Sequence, residues 1–207
     1  MKIDTQGTSE QSEKADWASL DEVKARGGEA EIYESREDVP ADVLEDDSHD
    51  ASASPDDLPS AVSRSLTPMA GSLTSTAGDC TYRTRSDNIH FSGSQLSVHG
   101  WWEIASSTGC PSKADVNVQL QGLMCQTVGR FEVCWWETIQ PDGEEEANLW
   151  PGGGRGKRVN GRSDCASNTG TGFRSVVDVD LVGIWDPSKK LVSAGEEFQC
   201  RPPEPYS

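Results

Sequence analysis

The chain has 207 residues, with 35 acidic against 18 basic side chains and a net charge of −17. That excess of acid repels a phosphate backbone and excludes nucleic acid as the expected partner. No stretch approaches the roughly 20 apolar residues of a membrane-spanning helix, which excludes a span.

The charge is unevenly spread: residues 1–79 hold 19 acidic and 6 basic side chains, residues 80–207 hold 16 and 12. The first segment has no cysteine and contains runs such as EDDSHDASASPDDLPS, which bury too little apolar surface to offset the entropy of ordering. Residues 1–79 are therefore expected to form a long disordered acidic arm, and residues 80–207 one folded domain. Two stretches of the arm are more than filler. DWASLDEVKARGG offers Asp16 or Ser19 as a cap, Trp17, Leu20 and Val23 at spacings of three, and a Gly27-Gly28 stop, which predicts a marginal helix of about ten residues. LPSAVSRSLTPMAGSLTSTAG is nearly uncharged, with Leu58, Val62, Leu66, Met69 and Leu73 spaced along it, the pattern of a segment that orders on a partner. A plain tether or a removed pro-segment is the alternative.

From residue 80 onward the periodicity is two. In QLSVHGWWEI one face takes Leu96, Val98, Gly100, Trp102 and Ile104, the other Ser97, His99, Trp101 and Glu103. The alternation recurs through Val116, Val118, Leu120 and Met124, through Phe131, Val133 and Trp135, and through Phe173, Val177, Val179, Leu181 and Trp185, with Asp178 and Asp180 opposite. Turn signals such as CPSKAD, QPDG and PGGGRG separate these runs. Short alternating strands without intervening helices predict an all-β fold, an antiparallel sandwich of immunoglobulin-like type or a small barrel.

The six cysteines, Cys80, Cys110, Cys125, Cys134, Cys165 and Cys200, include no C-x-x-C pair. An even, dispersed set argues for disulfides in an oxidising compartment over a metal site. Strand parity puts Cys125 and Cys134 on the same outer face of a hairpin, where they can bridge. Cys80 with Cys200, tying the two ends of the domain, and Cys110 with Cys165 complete the expected set. The stretch MKIDTQGTSEQSEK lacks the apolar run of a signal peptide, so export requires a signal that lies upstream or has been removed.

The same parity assigns Trp102 and Trp135 to the core and Trp101 and Trp136 to the polar faces. Outward tryptophans either pack across strands or cover a disulfide, or they form a recognition platform for a sugar ring or a protein. PGGGRGKRVNGR superficially resembles a phosphate cradle, but Arg158 stands where a P-loop needs Ser or Thr. The stretch reads as a hairpin tip whose Arg155, Lys157, Arg158 and Arg162 make a basic cluster suited to an acidic partner. His49, His90 and His99 are scattered, with no H-E-x-x-H or G-x-S-x-G beside them, and Asp178 with Asp180 reads as the solvated face of a strand. No catalytic residue, cofactor or metal is expected.

The runs GCPSKADVNVQL, CWWETI, PGGGRGKRVNGRSDCAS and FRSVVDVDLVGIWDPS resemble those of small exported actinobacterial cysteine-containing β proteins, among them the adaptor subunit of Streptomyces umbrella toxin particles. The resemblance covers roughly residues 80–202. It implies an extracellular, non-catalytic adaptor that bridges a lectin-like subunit and a large toxin subunit built on a repeat-containing stalk. Its N-terminal extension would enter a cleft of the lectin-like partner while the β domain grips the stalk. The long acidic arm departs from that compact pattern. The other reading is a secreted carbohydrate-binding module that uses Trp101 and Trp136.

Overall fold

The computed structural model describes residues 14–27, 30–44, 71–106, 108–129, 131–139 and 144–204. Two sheets share one core. The larger sheet is built around a 15-residue strand, β7 (Ala114–Val128), whose apolar positions alternate inward. The first half of β7 pairs antiparallel with β11 (Ser167–Leu181) and, on its other edge, with β9 (Glu144–Leu149). Its second half pairs with β8 (Phe131–Thr138) and, beyond the end of the β11 pairing, with the two-residue β1 (Asp16–Trp17). β12 (Leu191–Val192) and β13 (Glu196–Arg201) extend the β11 edge, and β2 (Ala30–Tyr33) joins β8 in parallel. The smaller sheet runs β10-β6-β4-β3, that is, Val159–Asp164, Gln95–Ile104, Cys80–Ser86 and Ser72–Ala77. A three-residue strand, β5 (His90–Ser92), also pairs with β6.

The expected faces hold in the strand interiors. Leu96, Val98, Trp102, Val116, Val118, Phe173 and Val177 are fully buried between the sheets. The sheets pack tightly at Gly100, where a Cβ would lie 2.5 Å from Val118 Cγ2 and 2.8 Å from Val177 Cγ1. The alternation fails at strand ends. Ile104, expected inward, is partly exposed, and Trp185 is 88 % exposed, because β11 stops at Leu181 and the chain turns through Gly183 at φ 85°.

Three disulfides staple the body: Cys80–Cys110, Cys125–Cys134 and Cys165–Cys200. The hairpin bridge is the one expected from parity, and its two cysteines are direct partners across β7 and β8. The other two expected pairings, Cys80 with Cys200 and Cys110 with Cys165, are corrected. Two observed bridges tie a connection to an adjacent strand: Cys110, in the β6–β7 connection, joins Cys80 of β4, and Cys165, just before β11, joins Cys200 of β13, where β11 begins and β13 ends side by side.

The expected boundary between residues 79 and 80 is also corrected. Residues 14–27 and 30–44 are built onto the larger sheet, and residues 72–77 form β3, an integral strand of the smaller one. Leu20–Arg26 form helix α1, capped by the Ser19 hydroxyl, which accepts from the Glu22 amide at 3.3 Å, and ended by Gly27 at φ 65°. The predicted helix exists, but Trp17 lies outside it, in β1. The Trp17 ring presses on Gly122, and its Nε1 donates to the Pro203 carbonyl at 3.1 Å. After β2 come a single 3₁₀ turn, Arg36–Asp38, and a short helix α2, Ala41–Leu44, whose Val43 and Leu44 pack against the main core. The acidic surplus of residues 14–44 does not prevent docking, because Trp17, Leu20, Val23 and Val39 supply enough apolar burial.

Candidate functional site

α1 decides the fate of one tryptophan. Leu20 and Val23 lie on the outer face of the larger sheet over Leu123, Trp136 and the Cys125–Cys134 bridge, forming a second small core. Trp136 does point away from Trp135, as parity requires, but it is only 8 % exposed. Its role as an outward platform is corrected: the covering helix comes from the segment read as an arm. The fastening is polar at its rim, where Glu197 accepts the Leu20 amide at 2.7 Å and Arg26 pairs with Glu132 at 2.7 Å. Arg201 pairs with Asp16, and its hydrogen bond holds the Asp16 carboxyl below the usual carboxylate range. A groove of about 480 Å³ runs along this seam, and the Lys14, Arg26, Glu132 and Asp16 charges at its walls already serve the seam's own ion pairs.

Trp101 behaves differently. It is half-buried on the outer face of the smaller sheet, donates from Nε1 to Glu103 Oε1 at 3.1 Å, and has the Gly153 backbone against its ring. Arg85 binds the other oxygen of Glu103 at 3.1 Å. Burial pushes the Glu103 carboxyl up, but the bonds from Trp101 and Arg85 outweigh it and hold the group below its usual range. The Gly153 contact brings the loop 150–158 to Trp101, so that the exposed Arg155, Lys157 and Arg158 follow directly on the platform. Two features far apart in the chain are thus joined. Of the other expected partner-binding residues, Leu73 is half-buried in β3 against the core, and Leu58, Val62, Leu66 and Met69 lie outside the described residues.

A second surface was not foreseen. Ile104, Trp150, Val182, Ile184 and Trp185 are exposed hydrophobics gathered where β6, β9 and β11 end and β7 begins. The Val182 amide donates to the Lys113 carbonyl at 3.2 Å, and Lys113 Nζ lies 5.4 Å from the Trp150 ring centroid. Asp186 ties the Trp185 turn down by accepting from Tyr82 Oη at 3.1 Å and from the Leu181 amide at 3.3 Å. Tyr82 is itself the cross-strand partner of Ile104. Burial, followed by the charge and hydrogen bond of Asp186, pushes the Tyr82 phenol upward, so it stays a donor at neutral pH. The clue in the sequence was the GIWDPS turn, whose Gly and Pro end the strand before Trp185.

Asp178 is paired with Lys190 at 3.0 Å, and Asp180 is exposed. Near the edge of the smaller sheet, Asp87, His90 and His99 each place a ligating atom within 4.8 Å of the others. A second such grouping, Cys125, Glu132 and Cys134, is unusable for a metal because both sulfurs are consumed in a disulfide. Among the described residues no helix is long and apolar enough to cross a membrane. Comparison with protein-family models, with curated proteins and with solved structures finds no match to this chain.

Proposed function

We propose that the chain is a non-catalytic interaction protein, an adaptor within an exported protein complex, and that it holds a protein partner through the end of the body that carries Trp150 and Trp185. The observation that carries this reading is Trp185, 88 % exposed on a turn pinned by two hydrogen bonds to Asp186. A large aromatic kept in water on an ordered turn, with exposed Val182 and Ile184 beside it in the chain and Trp150 linked to Val182 through Lys113, has the composition and preorganisation of an interface hot spot. Three disulfides support an oxidising compartment. The adaptor resemblance supplies the partner class, a lectin-like subunit or a repeat-containing stalk. The test is affinity purification from culture supernatant with the wild-type chain and Trp185→Ala. A partner recovered by the first and lost by the second supports the reading; equal recovery of that partner by both refutes it.

Carbohydrate binding remains a second reading, now resting on Trp101 alone, because Trp136 is covered. The cationic loop beside Trp101 favours an acidic glycan. A glycan array in which Trp101→Ala abolishes a wild-type signal would favour it over the adaptor reading.

A further inference from the structure

The three donors near the edge of the smaller sheet come from three separate places. Asp87 follows β4, His90 opens β5, and His99 is central in β6. Asp87 is anchored twice: its Oδ1 accepts the His99 backbone amide at 2.6 Å, and its Oδ2 lies 2.6 Å from His99 Nδ1. On the other side of the ring, Asn160, with its amide oxygen turned to Arg162, donates to His99 Nε2 at 3.0 Å. The His99 proton therefore resides on Nδ1, shared with Asp87. His90 donates from Nδ1 to the Asn88 carbonyl at 2.9 Å, since a carbonyl can only accept, and this leaves Nε2 as the nitrogen with a free lone pair. The two imidazoles are stacked, 5.5 Å between centroids.

We propose that Asp87, His90 and His99 form a binding site for a divalent cation of the zinc class. The cation takes the place of the proton between Asp87 Oδ2 and His99 Nδ1; that proton moves to His99 Nε2, where Asn160, with its amide turned so that the oxygen faces the ring, accepts it, and His90 supplies the third ligand through Nε2. Two imidazoles and one carboxylate are borderline and hard donors that suit Zn²⁺ and its neighbours better than Ca²⁺ or Mg²⁺. The outer contacts are those of metal-ligating histidines: one ring oriented by a backbone carbonyl, the carboxylate fixed by a backbone amide. His90 is exposed on a three-residue strand whose side chains are all exposed, so its ring can close to the roughly 2.0–2.1 Å that zinc coordination requires. The net charge of −17 attracts a cation to the surface. A bound ion would tie β5 to β4 and β6 and would keep a fourth position open to water or to a ligand from a partner.

The test uses the full chain with its disulfides intact, stripped with chelator and titrated with Zn²⁺ by calorimetry and with Co²⁺ by visible absorption. One Zn²⁺ per chain and the d–d bands of low-symmetry Co²⁺ are expected. His90→Gln, at an exposed position, and Asp87→Asn, which keeps an oxygen for the His99 amide, should each weaken Zn²⁺ binding at least about tenfold. His90→Gln should leave the metal-free melting temperature unchanged, whereas Asp87→Asn, which gives up the charged bond to His99 Nδ1, should lower it. His49→Gln, in the acidic segment, should bind as the wild type does. Absence of Zn²⁺ binding by the wild type at millimolar metal overturns the proposal. So does wild-type affinity in both His90→Gln and Asp87→Asn, or a loss of binding in His49→Gln alone.

Discussion

The guanidinium of Arg174 lies 4.8 Å from the centroid of the Trp136 ring while binding Glu34 twice, through the carboxylate at 2.5 Å and the backbone carbonyl at 2.8 Å. Its Nε donates to Gln121 at 2.7 Å. One buried cation thus links the outer face of the larger sheet to the segment that follows β2. A guanidinium desolvated this far needs all of these partners, and it holds the N-terminal segment against the ring that α1 covers.

The first prediction concerns that ring. Trp135 lies in the main core and Trp136 in the small core under α1, so Trp135→Ala and Trp136→Ala should each cost about 3–5 kcal/mol. Urea unfolding monitored by circular dichroism measures both. A Trp136→Ala chain as stable as the wild type would mean that α1 does not cover the sheet in solution.

Deleting residues 1–44 removes Trp17, Leu20 and Val23 from their burial sites and exposes Trp136 and the hairpin disulfide. The truncated chain should melt lower and bind a hydrophobic dye that the full chain does not. Deletion of residues 1–13 alone keeps every described contact of the docked segment, from Lys14 onward, and should melt well above the longer deletion. Equal melting temperatures for the two deletions would refute the docking.

Gly100 sits where the two sheets pack without room for a side chain. A methyl group there meets Val118 and Val177, both fully buried, and neither valine has a free rotamer to retreat into. Gly100→Ala should therefore destabilise by about 1–3 kcal/mol, whereas Gly154→Ala, with no atom within 4 Å of the added carbon, should be close to neutral. Chemical denaturation of the pair measures the difference.

The bridges should differ in worth. Cys80–Cys110 and Cys165–Cys200 span 30 and 35 residues, Cys125–Cys134 only 9. Loop-closure entropy makes each long bridge worth about 1 kcal/mol more than the short one. Paired Cys→Ala variants, compared by thermal unfolding, test the order. Peptide mapping without reduction should recover the three pairs named above, and recovery of a Cys80–Cys200 peptide would contradict the fold.

Asp180 faces Asp115 across the β11–β7 pairing, with Asp178 and Asp186 close by. Burial, then the charges of Asp178 and Asp186, push its carboxyl above the ordinary value of 3.8. The folded state therefore binds this proton more tightly than the unfolded chain does. The stability it contributes is full below the ordinary value and is lost as pH rises through the raised one. Asp180→Asn should accordingly raise the melting temperature at pH 7 and lose that advantage in strong acid. A gain independent of pH would assign the effect to something other than charge.

The strand interiors were legible because a pleated strand alternates its side chains locally: Leu96, Val98 and Trp102, or Val116 and Val118, declare their face from a few neighbouring residues. The Cys125–Cys134 bridge, the Gly27 end of α1 and Ser19 as one of two candidate caps were legible for the same reason, since a hairpin and a helix cap depend on contacts close in sequence. Everything decided by long-range contact stayed hidden. Cys80–Cys110 and Cys165–Cys200 follow from which stretches lie side by side, Trp101 meets Gly153 because the loop before β10 lies against β6, and Asp87, His90 and His99 converge only once β4, β5 and β6 pair. Trp136 shows the distinction most clearly. Its face was determined by parity with Trp135, but its burial was decided by a helix more than a hundred residues earlier, because parity tells which side of a sheet a side chain takes and only packing tells what covers that side.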